Sequence, residues 1–498
     1  MKFTAIKVRS FLLPMLSLLV CGALAVAQDD SSSDSTGAVP AATAPAEQNN
    51  AENPPLSGLD QPVAEPAFGG RSYLVPGFQL SETADSNAAS VGAGKNSHTS
   101  EITRALGSAD LQKIWRRYQF GLDYVAGGDF YAGPLFVQGQ QRLTQEHSLA
   151  AVQRFLWRTG QFAIRDSFDY LPEGSFGFNS YGGAGAFGSS LGPGVSGVGA
   201  GTGLGGGLGG GNVGGVSYGS VAYQPRIDNS TVIDITQGLS PRSTVTLAGG
   251  YSLSHYLNLS AQPFNVINSQ QTTGQVGYNH LISRRDQVGI SYAFQEIHFP
   301  RTGSGTINAH IWHVLYGHRV TGKLNLTLAG GPQIVVLNNP PTSTTPGKTT
   351  SFSANAQANL TYTVSSRTSL NLTYERYVTP GSGFYAGANT NATRASLGHL
   401  FGRHWTTTTD AGYSHNSNLQ TSNASSSGVN SRTYQFWYAG SSLQRQLGPQ
   451  FSAFVSYQFN DLGVGQCGTV NTSVCGLTSK RHTGQIGINW HPRPIRLD

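Results

Sequence analysis

Four charged residues, Asp234, Glu375, Arg394 and Asp410, fall on the polar parity of alternating segments. Carboxylates and guanidinium groups placed there can set a weak field for passing ions, or can neutralise one another as rim or salt-bridge residues. His310, His313 and His318 share one segment, but residues three apart on a strand point to opposite faces, so His310 and His313 do not share a metal. The run Gly201-Thr202-Gly203-Leu204-Gly205-Gly206 has the form G-x-G-x-x-G. It sits in a glycine-rich tract with no buried strand before it and no helix after it, so it carries no dinucleotide reading. Nucleophile motifs, phosphate loops and zinc patterns are missing from the sequence, so neither an enzyme nor a cofactor is expected. Cys467 and Cys475 lie together in a polar stretch near the end of the chain. In an oxidising compartment they are expected to form a disulfide, with a pair of free thiols as the alternative.

What would position these residues is a repeated unit that runs from about residue 227 to the C-terminus. Each unit is a strand of alternating polar and apolar residues, a tight turn, a second strand and a longer polar loop. The turns read Ser240-Pro241-Arg242, Ser283-Arg284-Arg285-Asp286, Thr321-Gly322-Lys323, Ser365-Ser366-Arg367, Gly402-Arg403-His404 and Gly448-Pro449-Gln450. The opposite connections, such as 338 to 349 and 416 to 430, are longer and rich in Asn, Thr, Ser, Pro and Gly. Short turns at one end and long loops at the other are the pattern of a transmembrane β-barrel, with the short turns on the periplasmic rim. The expected fold is all-β, an antiparallel up-and-down barrel of 16 to 18 strands.

The alternation supports this residue by residue. Val245, Leu247, Gly249, Tyr251 and Leu253 interleave with Thr244, Thr246, Ala248, Gly250 and Ser252. Leu370, Leu372 and Tyr374 interleave with Ser369, Asn371, Thr373 and Glu375. Phe451, Ala453, Val455, Tyr457 and Phe459 interleave with polar residues, Phe454 being the misfit on the polar side. One face suits lipid and the other water. A soluble sandwich shows the same alternation, but strands of about 12 to 16 residues are long for a globular protein. Tyr251, Tyr292, Tyr374, Trp405, Tyr413, Phe436, Tyr457 and Trp490 are read as aromatic girdles at the membrane interfaces.

Lys2, Lys7 and Arg9 precede an apolar run from Phe11 to Val26 that ends in Ala25-Val26-Ala27, the form of a cleavable signal peptide over residues 1–27. Cys21 as a lipid anchor is the alternative, opposed by Val20, where that processing favours a small residue. Residues 28–70 have few aromatics and are read as a disordered periplasmic tether. The barrel then occupies 71–498. Its strands are expected from about 72–84 through 480–491, making eighteen, or sixteen if the first two fail. A helix over Glu101 to Trp115 competes with the second strand. The glycine-rich segment at 174–226 lacks alternation and is read as a surface loop, or one that folds inward to narrow the lumen.

In this pattern the chain resembles the porin-like outer-membrane β-barrel proteins of diderm bacteria. The resemblance covers 71–498 as a pattern and departs from it in the tail His491 to Asp498, after the terminal Ile488-Asn489-Trp490. It implies an outer-membrane location, contact with lipid and lipopolysaccharide, insertion by the barrel assembly machinery, and passage of small hydrophilic solutes; a homo-oligomer is compatible with it. A structural or adhesive surface barrel with a blocked lumen is the alternative. Charged residues are only 11% of the chain with a net charge of +6, without basic runs interleaved with stacking aromatics, so no nucleic-acid partner is expected.

Overall fold

The computed structural model describes residues 55–57, 72–86, 99–132, 142–171, 226–257, 267–300, 305–339, 347–380, 386–419, 433–465 and 478–497. The cysteines Cys467 and Cys475, the glycine-rich segment at 172–225 and residues 1–54 lie outside the described residues.

The first half of the wall is built from β1 (Tyr73–Asp85), β2 (Ser100–Ile114), β3 (Tyr118–Ala132), β4 (Leu143–Trp157), β5 (Gly160–Leu171), β6 (Arg226–Ser240), β7 (Ser243–Tyr256), β8 (Ser269–Leu281) and β9 (Asp286–His298). The second half is β10 (Thr306–Thr321), β11 (Leu324–Asn339), β12 (Gly347–Ser365), β13 (Thr368–Thr379), β14 (Ala388–Phe401), β15 (Trp405–Asn418), β16 (Thr433–Gln446), β17 (Phe451–Val464) and β18 (Thr478–Trp490). Each strand pairs antiparallel with the next, and β1 closes the ring on β18, with Phe78 opposite Trp490 and Asp85 opposite Thr483. Eighteen strands therefore form a closed antiparallel barrel, in which no edge runs the full height of the wall. The stretch that competes for a helix is strand β2, because its whole length pairs with β1 on one side and β3 on the other. The tail does not hang free. A two-residue strand β19 (Ile495–Arg496) pairs with Tyr73 and Leu74, and the Lys113 Nζ donates to the Leu497 carbonyl at 2.9 Å.

The period-two alternation becomes an inside and an outside. On β1, Phe78 is 46% exposed while its neighbour Gln79 is fully buried. Leu247, Leu372 and Val455 are exposed on the outer face, and Phe454 is buried facing inward. One aromatic assignment changes. Phe436 faces inward and is buried, and the outward residue there is Trp437. The sequence Tyr434-Gln435-Phe436-Trp437-Tyr438 carries aromatics on both parities, so alternation does not fix which of them meets lipid.

Most of the short turns share a device that explains their composition. In four of the six named turns, the hydroxyl of the first residue accepts the backbone N–H two residues on: Ser240 from Arg242, Ser283 from Arg285, Thr321 from Lys323 and Ser365 from Arg367, at 3.0 to 3.2 Å. This local bond satisfies an N–H that the ladder leaves over and sets the reversal, so Ser or Thr begins the turn and a cation can sit exposed at its tip.

Candidate functional site: the barrel lumen

The inner face is divided by charge. From β1 to β6 it carries paired ions. Arg104 on β2 donates to both carboxylate oxygens of Asp129 on β3, at 2.6 and 2.7 Å, and lies 3.7 Å from Glu146 on β4. Arg165 on β5 pairs with Asp234 on β6, Arg226 pairs with Asp228, and Asp85 pairs with Arg481 across the closing seam. A further group spans β14 to β16, where Arg394 Nε donates to Asp410 Oδ2 at 2.8 Å and the Tyr438 hydroxyl donates to the other oxygen. Among the described residues of the ring, inward carboxylates outnumber inward cations. Apart from Arg226 and Asp228, which are two residues apart on β6, each pair joins neighbouring strands at or near one height, where inward side chains of adjacent strands reach each other.

The opposite wall, β7 to β12, has no inward carboxylate among the described residues, and Arg319 near the short-turn rim is its inward cation. Amides and hydroxyls take the place of charge: Gln271, Gln275, Asn279, Gln295, Gln333 and Asn355 are all buried there. At two places on the ring, at Gln333 on β11 and where Gln79 lies opposite Asn489 across the closing seam, the inner face carries amides whose side-chain N and O atoms are both buried without a hydrogen-bond partner among the described residues. These amides keep hydrogen-bonding capacity that the described residues do not use.

Two segments rest against the uncharged wall. The first is the long-loop end of β13. Pairing of β12 with β13 stops at Ala356 opposite Arg376, although β12 stays paired with β11 as far as Gly347. Tyr377 to Thr379 thus leave the wall and lie over its inner face. Val378, on the outward parity of β13, is fully buried among Ile297, Phe299, Ile307, Val335 and Leu337, and its carbonyl accepts from Gln295 Nε2 at 3.3 Å. Gly387, just before β14, has φ of 93°, and a Cβ there would overlap Ile307. The second segment is Pro55–Ser57. It comes from the stretch read as a tether, yet Leu56 and Ser57 are buried against inward residues of β7, β8, β10 and β11.

The four charged residues singled out in the sequence all have inward positions in their strands. The structure brings Arg394 and Asp410 together, gives Asp234 to Arg165, and sets Glu375 against Gln357, whose Nε2 donates at 3.1 Å. Sequence reading missed Arg104, Asp129, Glu146 and Arg165. Their signal was the same parity, obscured on β2, where Ile102 and Leu106 sit among the inward residues and Thr103, Ala105, Gly107 and Ala109 among the outward ones. His310 points outward and meets the Tyr292 hydroxyl at 2.8 Å, whereas His313 is buried inward, so the two remain on opposite faces. Among the described residues no group of three or more His, Cys, Asp or Glu could hold a metal.

No protein-family model and no curated protein matches this sequence. Similar solved structures include the FrpB iron transporter from Neisseria meningitidis in its apoprotein form, at 8% identity and a TM-score of 0.41, covering 84% of this chain and 81% of that one. The outer membrane protein OpdK from Pseudomonas aeruginosa is 10% identical with a TM-score of 0.40, covering 84% and 98%. OccAB4 from Acinetobacter baumannii is 9% identical with a TM-score of 0.41, covering 85% and 98%. The assignment rests on the chain's own closed ladder, polar inner face and apolar outer band, and these make its architecture that of an eighteen-stranded transmembrane β-barrel of the porin size class.

Proposed function

We propose that this chain is an exported outer-membrane channel for passive diffusion of small hydrophilic solutes, with a weak preference for cations. The observation that carries the reading is the closed eighteen-stranded ring whose inner face is lined by amides, hydroxyls and paired ions. Rings of this strand number enclose more space than their own side chains fill. The excess of inward carboxylates gives the preference its sign. In this reading residues 1–27 are a signal peptide, the short turns face the periplasm, and Cys467 and Cys475 close an outer loop as a disulfide. The protein is inserted by the barrel assembly machinery among lipid and lipopolysaccharide, and catalyses no reaction. Purified protein in planar bilayers should show discrete ion-conducting steps, and a folded, heat-modifiable barrel that never conducts would overturn the channel.

A second reading, a structural or adhesive barrel with a blocked lumen, draws on the two segments that lie against the inner wall. The same recording separates the two.

A further inference from the structure

Pro55–Ser57 are held by a site built for them. The Ser57 N–H donates to Asn279 Oδ1 at 3.0 Å, and its carbonyl accepts from Gln275 Nε2 at 3.0 Å. Its hydroxyl meets Thr246 Oγ1 at 2.6 Å and accepts from Asn279 Nδ2. The backbone N–H, carbonyl and hydroxyl of one residue are thus all satisfied by wall side chains 189 to 222 positions away in sequence. Leu56 fills the adjoining apolar spot beside Leu315 and Ala329. Two glycines make the room. A Cβ on Gly277 would overlap the Ser57 side chain, and one on Gly317 would come within 2.9 Å of Leu56. Hydrogen bonds to a fully buried residue with matched apolar contact are recognition, not accidental proximity, because each polar group that entered the site had to exchange water for a partner.

We propose that the inner wall of β7, β8, β10 and β11 is a peptide-binding site whose ligand is the chain's own Leu56-Ser57, and that this docked segment acts as a plug that lowers flow through the lumen. The plugging half rests on the channel reading; the docking half does not. The uncharged wall suits a backbone ligand, because amides and hydroxyls bond to N–H and C=O without leaving a buried charge unpaired. The charged wall across the lumen remains as the path for ions.

The test uses the full chain carrying Cys467→Ser and Cys475→Ser, with Ser57→Cys and Thr246→Cys added. The hydroxyl contact at 2.6 Å predicts a cross-link under mild oxidation, read by mass spectrometry of the digested barrel. In bilayers the oxidised protein should conduct several-fold less than after reduction. Gly277→Val, which crowds Ser57 out, should lower the cross-link yield and raise conductance at least two-fold without reductant. Asn279→Leu, which removes two of the bonds at similar volume, should do the same and serves if the valine variant does not fold. A folded barrel without the cross-link overturns the docking. A cross-link whose reduction leaves conductance unchanged overturns the plug. A cross-link in a barrel that conducts in none of these forms ends the channel and the plug together, and leaves an anchored N-terminal segment.

Discussion

At the scale of single residues, the side of the wall decides what a substitution costs. Leu372 is exposed on the outer face of β13, and its neighbour Asn371 faces inward. An arginine facing lipid near mid-membrane costs about 2 to 4 kcal/mol, because the guanidinium must leave water or distort the bilayer to reach it. Leu372→Arg should therefore sharply lower the yield of folded, heat-modifiable protein, while Asn371→Arg, placed toward the polar inner face, should leave it near that of the parent. Equal losses in both would mean that the inner face is dry. The same logic explains Phe454, an apolar residue on the inner face, where it packs without any demand for lipid contact.

At the scale of elements, the informative feature is the departure of β13 from β12. The ladder ends at Arg376, and the outer end of β13 with the start of β14 turns over the inner face of β9 to β11. Gly387 permits this turn twice over, by its positive φ and by its close approach to Ile307. Gly387→Val should displace this end from the wall, since the side chain is strained at that φ and has no space. The barrel should still form, because its ladders below Arg376 are untouched, and single-channel conductance should rise; unchanged conductance would mean that the inward end does not narrow the path. The turns and loops make a second prediction. Cysteine at Ser366, in a short cationic turn, should resist an impermeant thiol reagent in intact cells, whereas cysteine at Ser426, in a long connection, should react. Reaction at Ser366 alone would reverse the orientation.

For the whole molecule, the division of the lumen into a charged and an uncharged wall is the property that a channel would express. Asp410 is already bonded to Arg394 and Tyr438, and Glu375 to Gln357, so each contributes to a network and not as a lone charge. Glu375→Lys combined with Asp410→Lys would place a lysine beside Arg394 and reverse the local potential. The reversal potential in a salt gradient should shift toward anions, with heat-modifiable migration retained. A folded double variant with unchanged selectivity would move the selective region to the ion pairs of β1 to β6, where Arg104, Asp129 and Glu146 stand closest together.

The sequence alone determined the class of fold, narrowed the strand count to sixteen or eighteen, and assigned Asp234, Glu375, Arg394 and Asp410 to one parity of their strands, because each depends on local rules. Side chains on a strand alternate with period two, and four of the reversals are set by a hydroxyl two residues from the N–H that it bonds. Where aromatics fill both parities, as from Tyr434 to Tyr438, those local rules gave the wrong face for Phe436. Only the tertiary structure decided which inward charges pair, because partners such as Arg165 with Asp234, or Asp85 with Arg481, are fixed by the register of strands that meet when the ring closes. It alone showed the inward end of β13, where a ladder stops without any signal in the local pattern. It also decided the place of Leu56 and Ser57. Their composition reads as a tether, and what holds them is a set of side chains almost two hundred residues or more away, whose convergence exists only once the barrel has closed.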